Sequence, residues 1–242
     1  MLEAGAWGLI GASSLLLGAV IGLVLRLPTR VVGLILGFGA GTLISAVAFE
    51  LTDEAYELGG ADVVTLGLAL GALTYFAGDE LLARRGGEAR MSMHEEPSED
   101  SATALVLGAV LDGIPESAVI GLSLLGGGGV AVPVLAAVFL SNLPESISSS
   151  TAMRRAMASA GHVLRVWIAV MLVSGVAAAA GYALLDGASD DWVGLIQAFA
   201  GGAVLTMLAD TMMPEAFREG GRVAGLFTVL GFALAYLLST LE

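Results

Sequence analysis

Cysteine is absent from the 242-residue chain, and so is lysine, since all ten cations are arginine. Without cysteine there are no disulfides, no thiolate metal sites and no cysteine nucleophile, although nothing follows about redox compartment. Charge is also scarce. Only 14% of residues are charged, against roughly a quarter in average soluble domains. So little charge cannot coat a water-facing surface, which argues against a soluble globular enzyme, and the hydropathy argues against a disordered or fibrous chain. A net charge of −13 with few cations excludes an obvious nucleic-acid partner. What is abundant is apolar: 57% of residues are hydrophobic and the mean hydropathy is +0.88. The 34 glycines follow no collagen period, and glycine is common in transmembrane helices. The composition points to an integral membrane protein in a lipid bilayer.

A spanning helix needs about 20 mostly apolar residues. Such runs fall at roughly 6–25, 31–51, 61–82, 101–124, 130–152, 161–184, 191–213 and 222–240, separated by turn or charge signals. The expected fold is therefore all-α, a single domain over 1–242 with eight transmembrane helices. The N-terminus lacks a cationic stretch, so the first run is expected to be retained rather than cleaved as a signal peptide. Arg26 and Arg30 fall between runs 1 and 2, and Arg84, Arg85 and Arg90 between runs 3 and 4. Arg154, Arg155 and Arg165 lie between or beside runs 5 and 6, and Arg218 and Arg222 between runs 7 and 8. All ten share one side, which the positive-inside rule makes cytoplasmic, with both termini outside a cell membrane.

Two internal repeats follow. Phe38–Ala55 and Phe199–Ala216 align without gaps, matching Phe38 with Phe199, Gly41 with Gly202, Ala48 with Ala209, Glu54 with Glu215 and Ala55 with Ala216. Their runs point in opposite directions, which suggests an inverted repeat of runs 1–3 against runs 6–8, a transporter trait. Between those halves, Asp112-Gly-Ile-Pro115-Glu116-Ser117 in run 4 echoes Ser141-Asn142-Leu-Pro144-Glu145-Ser146 in run 5. The plan is 3 + 2 + 3, with polar groups on the central pair at mid-bilayer.

A mid-bilayer carboxylate costs at least ~2.5 kcal/mol on insertion scales, so it normally faces a cavity and marks a pathway. Asp112 and Glu116 lie one helical turn apart, as do Ser141 and Glu145. Pro115 and Pro144 cannot donate to the carbonyls of Leu111 and Leu140, which frees two acceptors. Carboxylates, the Asn142 amide oxygen, hydroxyls and freed carbonyls together describe a cation site. Three carboxylates in low dielectric cannot all ionise unless a cation joins them. The alternative for these residues is protonated, hydrogen-bonded helix glue.

On these residues the chain resembles the ZIP (Zrt/Irt-like) metal-ion permeases along nearly its whole length. That resemblance implies eight helices in a 3 + 2 + 3 arrangement, outside termini and a variable cytoplasmic loop between helices 3 and 4. Aligned on the prolines, it implies that Asp112 replaces the family's helix-4 histidine, Gly113 replaces its asparagine, and Glu116 is retained. In helix 5, Ser141, Asn142 and Glu145 stand at the ligand positions. Asp53-Glu54-Ala55 and Pro214-Glu215-Ala216 resemble the family's Pro-Glu-Ala endings of helices 2 and 7. Both site histidines are missing, and an all-oxygen site suits Mn²⁺, Mg²⁺ or Ca²⁺ better than Zn²⁺ or Fe²⁺. The expected substrate is a divalent metal cation harder than zinc, or a broad set, moved into the cytoplasm, with no resident cofactor. The bridging second site common in the family is weakened, since Gly113 offers no side chain.

Other features admit two readings. Glu50, Asp53, Glu54 and Glu57 at the outer end of run 2 either concentrate cations or cap a solvated helix end. Asp210 in run 7 and Glu215 beyond it either line the pathway or sit in ordinary structure. Asp79 and Glu80 are expected to pair with Arg84 or Arg85, and His162 to be interfacial. The acidic loop over 83–100, with His94, Glu95, Glu96, Glu99 and Asp100, either captures released metal weakly or is a solvated linker. The small-xxx-small spacings Gly18/Gly22, Gly33/Gly37/Gly41 and Gly67/Gly71 serve internal packing or a homodimer. Gly126–Gly129 lacks the P-loop Lys-Ser/Thr, and no nucleophile–base pair is evident, so an enzyme is not expected. A proton-coupled exchanger, and a metal-sensing or structural membrane protein that does not turn over, remain the rival readings.

Overall fold

The computed structural model describes residues 1–25, 27–82, 84, 99–125, 130–155 and 158–240, and its side chains except at 82, 99–107 and 109. Arg26, Arg85, Arg90, His94 and the acidic side chains of the 83–100 loop lie outside that description. The described residues are helical, with no strand among them. The elements are α1 (Leu2–Val24), α2 (Thr29–Ala46), α3 (Asp53–Leu82), α4 (Glu99–Leu122), α5 (Val132–Arg155), α6 (Ala160–Leu185), α7 (Asp190–Met207), α8 (Met213–Gly220) and α9 (Ala224–Ser239). A π-helical segment, Val47–Thr52, joins α2 to α3, and another, Leu208–Met212, joins α7 to α8.

The local sequence explains several boundaries. Pro28 precedes α2 and so ends the preceding segment. The Ser159 hydroxyl caps α6 by accepting from the His162 backbone N–H at 3.2 Å, which satisfies an otherwise orphaned donor. Asp190 and Asp191 occupy the first turn of α7, and Arg154 and Arg155 the last turn of α5, each sign favoured by the helix dipole at that end.

Four helical stretches are long and apolar enough to cross a bilayer: Leu2–Val24, Thr29–Leu81, Ala160–Leu185 and Asp190–Ser239. The second and fourth have 53 and 50 residues, more than twice the roughly 20 that one crossing needs. Each is broken at a glycine in the left-handed region, Gly60 at φ 72° and Gly221 at φ 65°, a backbone that side-chain-bearing residues avoid. The central helix α5 has 24 residues but does not reach the same apolar standard. The reason is visible in α5, where Asn142, Glu145 and a run of hydroxyls from Ser141 to Thr151 are buried in the protein.

The register that pairs Phe38 with Phe199 also pairs the two π segments, Val47 with Leu208, and the two left-handed glycines, Gly60 with Gly221. Packing is reciprocal as well. A Cβ at Gly41 of α2 would strike the Thr228 carbonyl oxygen of α9, and one at Gly202 of α7 would strike that of Leu68 in α3. Gly231 meets the Phe38 carbonyl in the same way, and Gly71 meets that of Phe199. Thus α2 packs on α9 as α7 packs on α3, while α1 packs on α5 as α6 packs on α4.

The described arginines gather at one end of the helices. Arg154 donates to the Leu23 and Leu25 carbonyls at 2.9 and 3.5 Å, tying the end of α5 to that of α1. Glu80 accepts from Arg84 at 2.9 Å, the expected pairing at the end of α3.

Gly41→Ala and Gly202→Ala force backbone apart and are each expected to lower stability by about 1–3 kcal/mol. Gly161→Ala, where an added Cβ meets nothing within 4 Å, should leave the melting temperature of the detergent-solubilised protein unchanged or higher. Equal Tm for all three variants would refute the close-packing account.

Candidate functional site

Helices α4 and α5 continue through Pro115 and Pro144, and the residues flanking these prolines form the buried polar centre of the molecule. Asp112, Glu116, Ser141, Asn142 and Glu145 are all buried. Burying such groups is unfavourable unless partners compensate, so their partners decide what each can do.

Asp112 is held from a neighbouring helix. The Tyr75 hydroxyl on α3 donates to its Oδ1 at 2.5 Å, a short, charge-assisted type of contact. Ser141 donates to its own helix at the Val138 carbonyl, 3.0 Å away. The Ser146 hydroxyl donates to the carbonyls of Asn142 and Leu143 at 2.9 and 3.1 Å. Both hydroxyls are thus engaged by backbone one turn back, and each keeps its oxygen lone pairs for a ligand.

Glu116 differs from its neighbours. Its side chain is 2% exposed, and neither carboxylate oxygen has a hydrogen-bond partner. It borders a small cavity of about 20 Å³ walled by aliphatic side chains, among them Leu43, Val47 and Leu51 of the α2 side, Val138 of α5 and Val204 of α7. A single water needs roughly 10–15 Å³ on this measure, so the space holds about one water-sized body. Orphaned buried polar atoms are rare in native proteins and call for an explanation such as a ligand or ion. Among the described residues, no three His, Asp or Glu side chains gather closely enough to hold a metal together. Glu116 is accordingly the carboxylate presented to the cavity, while Asp112 is held toward α3.

The outlying candidates have separate surroundings. Glu50, in the first π segment, accepts from the Ser239 hydroxyl of α9, and Asp53 is exposed. Asp210 is exposed on the second π segment. Glu215 is buried on α8 and paired with Arg218. None of these four borders the Glu116 cavity. His162 sits exposed in the first turn of α6.

Sequence reasoning missed four residues. Tyr75 carries no motif and becomes meaningful only because α3 sets it against Asp112. Gln197 of α7 is buried and hydrogen-bonds Glu54. Ser148 and Thr151 are buried on α5 with unpartnered hydroxyl oxygens. For these two a signal existed, because Ser148-Ser149-Ser150-Thr151 is a polar interruption of an apolar run.

No protein-family model matches the chain, and no curated protein matches it.

Two substitutions separate the held carboxylate from the orphaned one. Tyr75→Phe removes a buried donor and should destabilise the protein by about 1–3 kcal/mol. Glu116→Met replaces an unpartnered buried charge with an apolar chain of similar length, and should stabilise the cation-free protein by a comparable ~1–3 kcal/mol. Thermal unfolding with a chelator present reads both signs, and a destabilised Glu116→Met would show that Glu116 has a structural partner.

Proposed function

We propose that the chain is a ZIP-like permease for divalent metal cations, with Glu116 as the carboxylate that first takes the ion. One observation carries this reading: a buried carboxylate on the central helix pair, with both oxygens unpartnered, borders a small cavity. An ion supplies the charge and coordination that the protein withholds from Glu116.

In this reading the bilayer is crossed eight times in a 3 + 2 + 3 plan. The crossings are α1, α2 with its π segment and the start of α3, the rest of α3, α4, α5, α6, α7 with its π segment and α8, and α9. The shared register of π segments and left-handed glycines, together with the reciprocal glycine contacts, supports an inverted repeat of the outer triads around the α4–α5 pair. π-Helical segments often mark functional sites. Both termini lie outside, and the arginine-bearing end faces the cytoplasm.

Glu116 takes the ion first; Glu145, Asp112, Asn142 and Ser141, which do not border its cavity, become further oxygen donors only after the helices carrying them close on the ion, with water completing its shell. Oxygen donors favour Mn²⁺, Mg²⁺ or Ca²⁺ over the ions that imidazole suits, and a site that leaves waters in place suits a hard cation. An inside-negative potential assists inward movement by ~2.3 kcal/mol per charge per 100 mV. The 83–100 loop, the pathway roles of Glu50, Asp53, Asp210 and Glu215, and a homodimer are secondary to this core.

Uptake into proteoliposomes tests the reading with Mn²⁺, Fe²⁺, Co²⁺, Zn²⁺, Cd²⁺, Mg²⁺ and Ca²⁺. At least one ion should enter, and Glu116→Ala and Glu145→Ala should each reduce its entry to the rate of empty vesicles. Flux that stops when a pH gradient is collapsed would assign a proton-coupled exchanger with the same residues. No flux of any ion through folded protein, with binding retained, would assign a sensor.

A further inference from the structure

Two carboxylates stand one turn apart on α4, and the fold treats them unequally. Asp112 and Glu116 are both buried and close enough to interact electrostatically. An i, i+4 pair shares one helix face, so the two can hold one cation between them. Yet neither oxygen of Glu116 has a hydrogen-bond partner, while the Tyr75 hydroxyl of α3 donates to Asp112 Oδ1 at 2.5 Å.

The ring and the hydroxyl of Tyr75 have separate roles. The ring is buried in the same apolar cluster as Leu43, Val47, Val119 and Val204, which wall the cavity beside Glu116. A phenylalanine ring fills that place as well, so packing does not call for the hydroxyl. Asp112 does. The bond between them crosses a sparse interface, because α3 packs chiefly on α7 and α4 chiefly on α6, and α3 meets α4 only lightly. It can therefore open without separating a close-packed pair of helices. A hydrogen bond to an ionised acceptor is roughly twice as strong as a neutral one, and this one points the Asp112 carboxylate at α3. A cation on Glu116 recruits Asp112 only by displacing that donor.

We infer that Tyr75 is a positioning residue that competes with the bound cation for Asp112, and so sets how tightly the site holds its ion and how readily it lets go. This rests on the reading of Glu116 as the carboxylate that first takes a divalent cation. With Asp112 held by Tyr75, the ion begins on a single carboxylate of α4. It is held by both only while the phenol is displaced. Return of the Tyr75 hydrogen bond then assists release.

Mn²⁺ binding to the detergent-solubilised full chain would be titrated in the wild type, Tyr75→Phe, Asp112→Asn and the double variant. Tyr75→Phe should tighten Mn²⁺ binding about tenfold, the factor to which a hydrogen bond on a charged group corresponds. In the Asp112→Asn background the same change should shift affinity by less than about twofold, because no carboxylate is left to free. In proteoliposomes Tyr75→Phe should lower KM and kcat together, since an ion held more tightly leaves more slowly. A tyrosine that only satisfies Asp112 would lower Tm and move none of these.

A second measurement leaves Tyr75 in place. The chain has four tyrosines, and replacing Tyr56, Tyr182 and Tyr236 by Phe makes Tyr75 the sole phenol. Mn²⁺ should then produce a tyrosine ultraviolet difference spectrum as the hydroxyl loses its charged acceptor, and Asp112→Asn should abolish it. Unchanged Mn²⁺ affinity in Tyr75→Phe, or equal tightening with and without Asp112, would overturn the inference and leave the permease reading standing. So would an unchanged Tyr75 spectrum while Mn²⁺ binds, which decides the matter if Tyr75→Phe does not fold. Coupling of Tyr75 to Asp112 in the titrations without flux of any cation would uphold the inference for a binding site and sink transport. No Mn²⁺ binding by the wild type would also overturn it, whereas the permease reading falls only if no ion of the uptake panel enters.

Discussion

A carboxylate buried beside aliphatic side chains with neither oxygen hydrogen-bonded is an unfavourable arrangement, and Glu116 is in it. Desolvating such a group costs several kcal/mol unless something compensates. The surroundings supply little, because the cavity walls are Leu and Val from four helical elements. The neighbouring Asp112 is treated in the opposite way, its Oδ1 held by Tyr75. Two carboxylates one turn apart on a single helix therefore have different jobs. One ties α4 to α3, and the other has no hydrogen-bond partner.

The frame around this pair depends on close helix contacts that glycine alone permits. Gly41, Gly71, Gly202 and Gly231 bring α2 against α9 and α3 against α7 so tightly that carbonyl oxygens occupy the place of a missing Cβ. Without a strong hydrophobic drive between helices in lipid, close packing of this kind is what can hold them together. The contacts are reciprocal between the two halves, and so are the π segments and the left-handed glycines that end them. The side chains at matching positions differ in size: Ala46 and Val47 border the small cavity beside Glu116, and the matching Met207 and Leu208 are buried.

Much of this was legible in the residues. The apolar runs located the helices to within a few residues, because an apolar stretch of that length has few other stable forms. The Pro-Glu-Ser repeat located Glu116 and Glu145, since carboxylates inside apolar runs are rare enough to stand out, and both proved buried. Less legible were the extensions of the helices past the apolar runs, through residues 53–59 and 213–220, where polar side chains obscure helical continuity. The polar α5 shows the limit of hydropathy as a guide, since hydroxyls buried against protein read in a sequence as hydroxyls exposed to water.

By itself the sequence determined the helical content, the clustering of arginine between particular runs and the placing of carboxylates and hydroxyls in the central pair, because composition and spacing act locally along the chain. Tertiary structure alone decided which carboxylate is held and which is bare. Tyr75 is far from Asp112 in sequence and meets it only when α3 packs beside α4. It likewise decided that Glu215 pairs with Arg218 instead of bordering the cavity, and that Ser148 is buried without a partner. Partnership in a dry interior is a property of what neighbouring helices bring, and no single helix encodes what will be packed against it.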